Sequence, residues 1–282
     1  MDDVELIGTI ATVISTTFGI VIYAIEKVQN QKEAKDTVCQ TGPTATSEES
    51  PYYAPCKKFA NLVSEWFTSR FKKFEDFAKT DALRGSDSNM QKAMLERISR
   101  EVDGFHGGIY IVRDRKVNGQ HTPLAPEVPD IGGYVVSSRP YYDECQKKLR
   151  TIASKVFLSA NRGVEILVVA TPLFNQEGEF IGILDGVVDV IRAPFSDMAK
   201  MIVEEFGFHE SHPKARLILI DIQKVVLGSS HGEVDGTSNV SSDPSVAELW
   251  QALSEDRIFA RNNGAACRVA GTSYFAICYD MP

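Results

Sequence analysis

SSRPYYDECQKKLR (137–150) and KVFLSANRGVEILVVATPLFNQEGEFIGILDGVVDVI (155–191) decide the fold of this chain. Pro140 suits the first turn of a helix, where its missing N–H would have had no partner anyway, so 140–150 is expected as a short helix. The stretches KVFLSA (155–160), VEILVVATPLF (164–174) and EFIGILDGVVDVI (179–191) are rich in β-branched and aromatic residues and are expected as three consecutive strands. Asn175–Gly178 (NQEG) is a tight turn between the last two, and strands joined so closely run antiparallel.

Working outward, GGIYIVRD (107–114) is a further strand upstream. Before it, Phe59, Leu62, Val63, Trp66, Phe67, Phe71, Phe74 and Phe77 recur at steps of three and four, which predicts a helix over 52–79 with one apolar stripe. The stripe suits core packing or a helix dimer seam. Ser86 or Asp87 can cap a second helix whose apolar face holds Met94, Leu95 and Ile98. Downstream, the same order of elements returns on a smaller scale. A helix is expected over 194–206, a hairpin over 215–230, a helix over 243–255 capped by Asp243, and strands over 257–263, 265–271 and 272–281. Residues 107–191 and 215–281 should therefore each form an antiparallel sheet, and the fold class is α/β (α+β).

The N-terminus has a different character. Leu6–Ile25 (LIGTIATVISTTFGIVIYAI) carries no charge over 20 positions, about 30 Å as a helix and the thickness of a bilayer core. A membrane helix is expected there, and the acidic residues before it argue against a cleaved leader. Lys27, Lys32 and Lys35 follow the span, which by the positive-inside rule would put the body in the cytoplasm. Asp36–Ser50 is polar, broken by Gly and Pro, and expected as a linker. The expected organisation is an anchor with its flanks (1–35), a linker (36–50), helices with a larger domain (51–192), and a smaller domain (193–282).

The chain has 38 acidic and 30 basic side chains, a formal net charge of −8, and no long basic stripe, so nucleic acid is not an expected partner. Its five cysteines are too few for a disulfide-dense scaffold, and an odd number leaves at least one unpaired within the chain. Cys267 and Cys278 fall on strands joined by a short turn and are candidates for cross-strand neighbours. His209 and His212 are three apart, but no cysteine or acid completes a zinc set, so no metal is expected. There is no phosphate-binding glycine loop, no G-x-S-x-G elbow and no H-E-x-x-H, so neither an enzyme nor a cofactor is expected.

Strand, helix and antiparallel meander is the order of a PAS-like domain. Arg139-Pro140-Tyr141-Tyr142, Ala170-Thr171-Pro172, Glu177-Gly178 and Gly182-Ile183-Leu184, in this order and spacing, resemble the core of a double Cache (dCache) sensor. The resemblance covers about residues 51–282. It implies a membrane helix, a long stalk helix, and two PAS-like domains each with an antiparallel sheet, the larger being membrane-distal. It also implies an extracytoplasmic, periplasmic or extracellular body on a single-pass anchor, opposite to the lysine count. In that compartment Cys39 and Cys56 are candidates for a disulfide, whereas inside the cell they stay thiols. The partners implied are a small-molecule ligand, the membrane, and a second copy or a signalling subunit.

The resemblance also points to a pocket. Arg139 offers a planar fork of donors that matches a carboxylate. Tyr141 and Tyr142 each add a ring wall and a hydroxyl, and Tyr110 on the first strand can line the same space. In the family the arginine holds the ligand carboxylate. The bland alternative is that Arg139 pairs with Asp143 or Glu144 on the surface. The amino-acid-binding subset places a carboxylate two positions beyond Asp185, where this chain has Val187. It has an acid near Ser159 and a tryptophan where Tyr141 stands. Asp185 lies on the same strand face as Val187 and is the candidate substitute. Two functions follow: a sensor of a carboxylate-bearing metabolite, or a ligand-free assembly subunit that keeps the fold.

Overall fold

The computed structural model describes residues 19–27, 53–121, 136, 139–159, 163–207, 216–221, 225–230, 265–269 and 272–280. In chain order the elements are β1 (Gly19–Lys27), α1 (Tyr53–Ala78), α2 (Asp81–Arg84), α3 (Ser88–Glu101), β2 (Gly108–Arg113) and β3 (Lys116–His121). They continue with α4 (Pro140–Lys148), β4 (Ile152–Ala153), β5 (Phe157–Leu158), β6 (Glu165–Phe174) and β7 (Phe180–Asp189). A 3-10 turn (Val190–Arg192) precedes α5 (Phe195–Glu205), β8 (Arg216–Asp221), β9 (Val226–Ser229), β10 (Ala265–Val269) and β11 (Thr272–Asp280). The chain divides into two compact units, Trp66–Ala193 and Met1–Glu65 with Pro194–Pro282, and the division falls inside α1.

The unit Trp66–Ala193 is built on an antiparallel sheet in the order β3-β2-β7-β6-β4, with β5 also pairing β6. The β6–β7 hairpin turns where expected. Asn175 N–H donates to the Glu179 carbonyl at 2.9 Å, the Asn175 side chain accepts from Glu179 N–H at 2.8 Å, and Gly178 supplies the φ of 83° that the turn requires. One sheet face packs under aromatic residues of α1. A Cβ on Gly186 would stand 2.6 Å from the Phe105 ring and 2.7 Å from that of Phe74, so this approach of sheet to helix needs glycine. The predicted stripe of α1 is real: within this unit Trp66, Phe67, Phe71, Phe74 and Phe77 are all buried. Asp87 is the α3 cap, accepting from Asn89 N–H at 2.8 Å and Met90 N–H at 3.1 Å, and Leu95 and Ile98 are buried beneath it.

The opposite sheet face carries Tyr110 and Val112 of β2, Ile166, Val168 and Ala170 of β6, and Ile183 and Val187 of β7. These residues form one apolar cluster with Tyr141, Tyr142 and Cys145 of α4. Two local expectations were off. The strand placed at 155–160 is only Phe157–Leu158, and β3 was not anticipated because KVNGQH is mostly polar. It is an edge strand, for which one neighbour suffices. A two-residue left-handed turn, Asp114 (φ 48°) and Arg115 (φ 60°), swings the chain back into it.

The other unit holds an antiparallel sheet in the order β10-β11-β1-β8-β9. Antiparallel sheets over both expected segments are thus observed, with one correction. The membrane helix expected through Ile25 is absent over its C-terminal part. Gly19–Lys27 is a strand between β11 and β8, with Gly19 opposite Asp280 and Ile20 opposite Asp221. A strand with a neighbour on each side reads as an uninterrupted apolar run, like a membrane helix, because periodicity does not separate the two. The overlooked signal is composition, since twelve of the twenty residues in Leu6–Ile25 are β-branched. Residues 6–18 lie outside the described residues. Among the described residues no helix is long and apolar enough to cross a membrane.

α5 packs on β8 and β9, and a Cβ on Gly228 would stand 2.7 Å from the Phe195 Cβ. Cys267 lies opposite Tyr274, while Cys278 lies opposite Val21, so the two cysteines are not cross-strand neighbours. Cys56 is a buried free thiol whose pKa burial pushes well above the ordinary value. Cys39, the linker at 36–50, His209, His212, the helix expected over 243–255 and the strand over 257–263 lie outside the described residues.

Candidate functional site

The candidate site is built on the apolar face under α4. In the sheet register Asp185 of β7 stands opposite Tyr110 of β2 on one side and Ala170 of β6 on the other. An acid in the middle of such a row is out of keeping with its neighbours, which are aliphatic and aromatic. Asp185 is 3% exposed. The Tyr141 hydroxyl of α4 donates to its Oδ2 at 3.0 Å, and its Oδ1 has no hydrogen-bond partner among the described residues. Burial pushes the Asp185 carboxyl up to about 7, against the opposing effect of the Tyr141 hydrogen bond.

The nearby donors are spent elsewhere. The Tyr110 hydroxyl donates to the Gly107 carbonyl at 2.7 Å. The Cys145 thiol lies 3.5 Å from the Ala170 carbonyl and 3.6 Å from that of Arg150. Burial first, then the charges of Asp185 and Glu144, push that thiol up to about 12, so it stays neutral.

Arg139 is the N-cap residue of α4, held in extended backbone with its carbonyl accepting from Tyr142 N–H at 3.2 Å. Its guanidinium lies 4.6 Å from the Phe157 ring centroid. Phe157 in turn stacks on Tyr141, with centroids 5.8 Å apart and planes 14° from parallel. The surface pairing weighed for Arg139 does not form. Asp143 pairs with Arg115, and Glu144 pairs with Lys148 at 2.7 Å. Among the described residues Arg139 has no carboxylate partner. Its contact is with a ring, which leaves the edge of the guanidinium fork for an anion.

The structure thus links Arg139 to Tyr141 through Phe157 and Tyr141 to Asp185 through its hydroxyl, and sets Tyr110 opposite Asp185 in the register. Tyr142 goes elsewhere. Its ring meets Phe180 edge-on at 5.9 Å, and the Arg115 guanidinium lies 5.4 Å from its centroid. Burial raises the Tyr142 phenol. Asp189, on the same strand as Asp185, caps the following 3-10 turn by accepting from Ile191 N–H at 3.2 Å. Sequence reading missed Phe157, Phe180 and Arg115. Phe157 had been absorbed into a strand, and Arg115 reaches α4 only because of the left-handed turn. Among the described residues no group of acidic, histidine or cysteine side chains could hold a metal.

No protein-family model matches the chain, and no curated protein matches it by sequence. Solved structures do match. An extracellular ligand-binding receptor from Desulfohalobium retbaense aligns with TM-score 0.58 at 13% identity, over 82% of this chain and 40% of that one. The chain therefore spans less than half the length of that receptor. The ligand-binding domain of the Campylobacter jejuni chemoreceptor Tlp3, in complex with 4-methylisoleucine, aligns with TM-score 0.56 at 10% identity, over 84% of this chain and 94% of that one. The ligand-binding domain of Mlp24 with asparagine aligns with TM-score 0.53 at 13% identity, over 83% and 92%. The fold is that of chemoreceptor ligand-binding domains, as the Cache resemblance implied.

Proposed function

We propose that the chain is a sensor, not an enzyme, that binds a small carboxylate-bearing metabolite between α4 and the sheet face of β2, β7 and β6. The observation that carries this reading is Arg139. It sits at the start of α4 with its guanidinium on Phe157, while the two acids of that helix, Asp143 and Glu144, are paired with Arg115 and Lys148. The proposed ligand residues are Arg139 for the carboxylate, Tyr141 and Asp185 for the ligand's other end, and Tyr110 as a wall, while Tyr142, turned to Phe180 and Arg115, is left out of the set. The neighbours' complexes with amino acids such as 4-methylisoleucine and asparagine support a ligand of this size and charge.

In this reading residues 51–192 are the distal, ligand-binding domain and 193–282 the proximal one. α1 is the stalk that passes occupancy to a second copy or a signalling subunit, and the body is extracytoplasmic. A single membrane helix over 6–25 is not part of the proposal, because Gly19–Lys27 is committed to the sheet. The ligand-free assembly reading is less well supported, since a subunit with no ligand gains nothing from a buried acid with an unsatisfied oxygen.

A thermal screen of small carboxylates against the full chain tests this. Ligand at about 100 times its Kd should add roughly 2.7 kcal/mol of stability, a melting shift of several degrees. Arg139→Ala should abolish that shift and cost under about 1 kcal/mol on its own, because the guanidinium has no ion pair to lose among the described residues. No stabilisation of the wild type by any carboxylate, with marked destabilisation by Arg139→Ala, would return Arg139 to a structural role.

A further inference from the structure

The sheet face under α4 is closed. Tyr110, Tyr141 and Asp185 are each less than a tenth exposed, so a small molecule reaches them only when α4 lifts from the sheet. The grip on that helix therefore governs access. Inside α4, Glu144 is paired with Lys148. From outside, Arg115 makes an ion pair with Asp143, and its guanidinium lies 5.4 Å from the Tyr142 ring centroid. The backbone of Arg115 reaches the same helix by a second route. Its carbonyl accepts from Val136 N–H at 2.7 Å, the Val136 carbonyl from Arg139 N–H at 2.9 Å, and the Arg139 carbonyl from Tyr142 N–H at 3.2 Å. This grip is held under strain. Asp114 (φ 48°) and Arg115 (φ 60°) fill the two central positions of the β2–β3 turn, where Asn-Gly or Asp-Gly is the unstrained pair. Aspartate tolerates the left-handed region, but an arginine at the glycine position is disfavoured. A glycine there would make the better turn and could not hold α4 by a side chain. A bulky residue kept in left-handed backbone, with its side chain committed to a neighbouring helix, points to a role outside the turn.

We propose that Arg115 is the positioning residue of α4: from a strained turn it latches the helix closed over the sheet face, and the strength of that latch sets how readily the face opens. Each side-chain hold is weak by itself. Arg115 and Asp143 are both partly exposed, so solvent screens their ion pair, and the ring contact adds a comparable amount. A weak latch suits a helix that opens and closes, because it leaves the open state within thermal reach. Tyr142 and Asp143 lie in the first turn of α4, next to Tyr141 and within four residues of Arg139. Release of the latch therefore frees the residues of the candidate site first. That the opening admits a carboxylate rests on the reading above, whereas the latch itself does not depend on it.

Cys145 of α4 reports the opening. Its thiol faces the Ala170 carbonyl of β6, is buried and neutral, and reacts only when the helix lifts. The full, reduced chain is labelled with N-ethylmaleimide under native conditions. Peptide mass spectrometry resolves the rate at Cys145 from that at Cys56, a buried thiol of the other unit. Arg115→Gly should speed labelling of Cys145 about fivefold to tenfold, through loss of one exposed ion pair and one ring contact. Cys56 should keep its rate, and the amides of 116–121 their protection from hydrogen exchange, because the turn itself is relieved. Asp143→Asn should give part of the increase, and adding it to Arg115→Gly little more. Arg115→Lys keeps the charge but loses the planar fork, and should fall between wild type and the glycine variant. Equal acceleration at Cys145 and Cys56 would make Arg115 an ordinary support of the fold and overturn the proposal, as would unchanged labelling of Cys145 in Arg115→Gly. The thermal screen of carboxylates separates the two readings. If no carboxylate shifts the wild type but the labelling pattern holds, the latch stands and the carboxylate reading falls. If one does and the labelling pattern fails, the latch falls and the carboxylate reading stands.

Discussion

The two sheets of this protein are both antiparallel, yet they are assembled in opposite ways. The strands β2 to β7 come from one stretch, 108–189, and the central hairpin closes through five residues, 175–179. The other sheet takes its middle strand from the beginning of the chain and sets it between β8 and β11, so that Gly19 faces Asp280. Local pairings carry their own signals in the form of turns, caps and alternation. A pairing across most of the chain carries none, because the partner's identity is not encoded near either strand. It also costs more loop closure and should form later in folding.

The sharpest way to break this comparison is to remove β1. Ile22→Pro deletes a ladder donor in a strand flanked on both edges and should cost about 3 kcal/mol or more. Hydrogen exchange should then show amides of 216–221 and 272–280 losing protection, while those of the local hairpin, 165–174 and 180–189, keep theirs. Equal protection everywhere would mean that β1 is not the organising strand of its sheet, and the membrane-helix expectation for 6–25 would be reopened.

Within the local sheet the largest effect should belong to Asp185. Burial pushes its carboxyl from the ordinary 3.8 up to about 7, so between these values the folded state holds the proton that the unfolded state has lost. Its contribution is favourable below the unfolded pKa and is lost as pH rises through the folded one. Asp185→Asn should therefore raise the melting temperature relative to wild type by more at pH 8 than at pH 5, a difference on the order of a few kcal/mol. A variant that gains stability while losing ligand would mark Asp185 as retained for binding. A flat difference across pH would mean that the carboxyl is solvated and ordinary.

The smallest effect tests a signal that is purely local. Asp87→Ala removes the side chain that caps α3 through Asn89 and Met90 and should cost about 1 kcal/mol by chemical denaturation, with no change in the slope of the transition. A much larger loss would show that the cap also supports packing beyond its own helix.

The contrast between the sheets also sets how far the sequence could be read. The α1 stripe, the Asp87 cap, the helix starting at Pro140 and the Asn175–Gly178 turn were all legible, because each is a pattern of neighbours acting over a few residues. The Arg139, Tyr141 and Asp185 candidates came from the Cache resemblance, and strand alternation put Asp185 on the same face as Val187. β3 was not, because a polar edge strand has no apolar signature. Phe157 and Arg115 were not, because their roles depend on where a two-residue strand and a left-handed turn deliver them.

What the sequence by itself determined is the succession of helices and strands and the residues able to carry charge in the candidate pocket. Only the tertiary structure decided that Gly19–Lys27 is a central strand, since an unbroken apolar run satisfies a bilayer and a sheet interior equally well. Only the tertiary structure left Asp185 buried with one oxygen unanswered and Arg139 without an acid among the described residues. Burial and hydrogen-bond satisfaction are sums over neighbours from β2, β6, β7 and α4, and those neighbours meet only when the chain is folded.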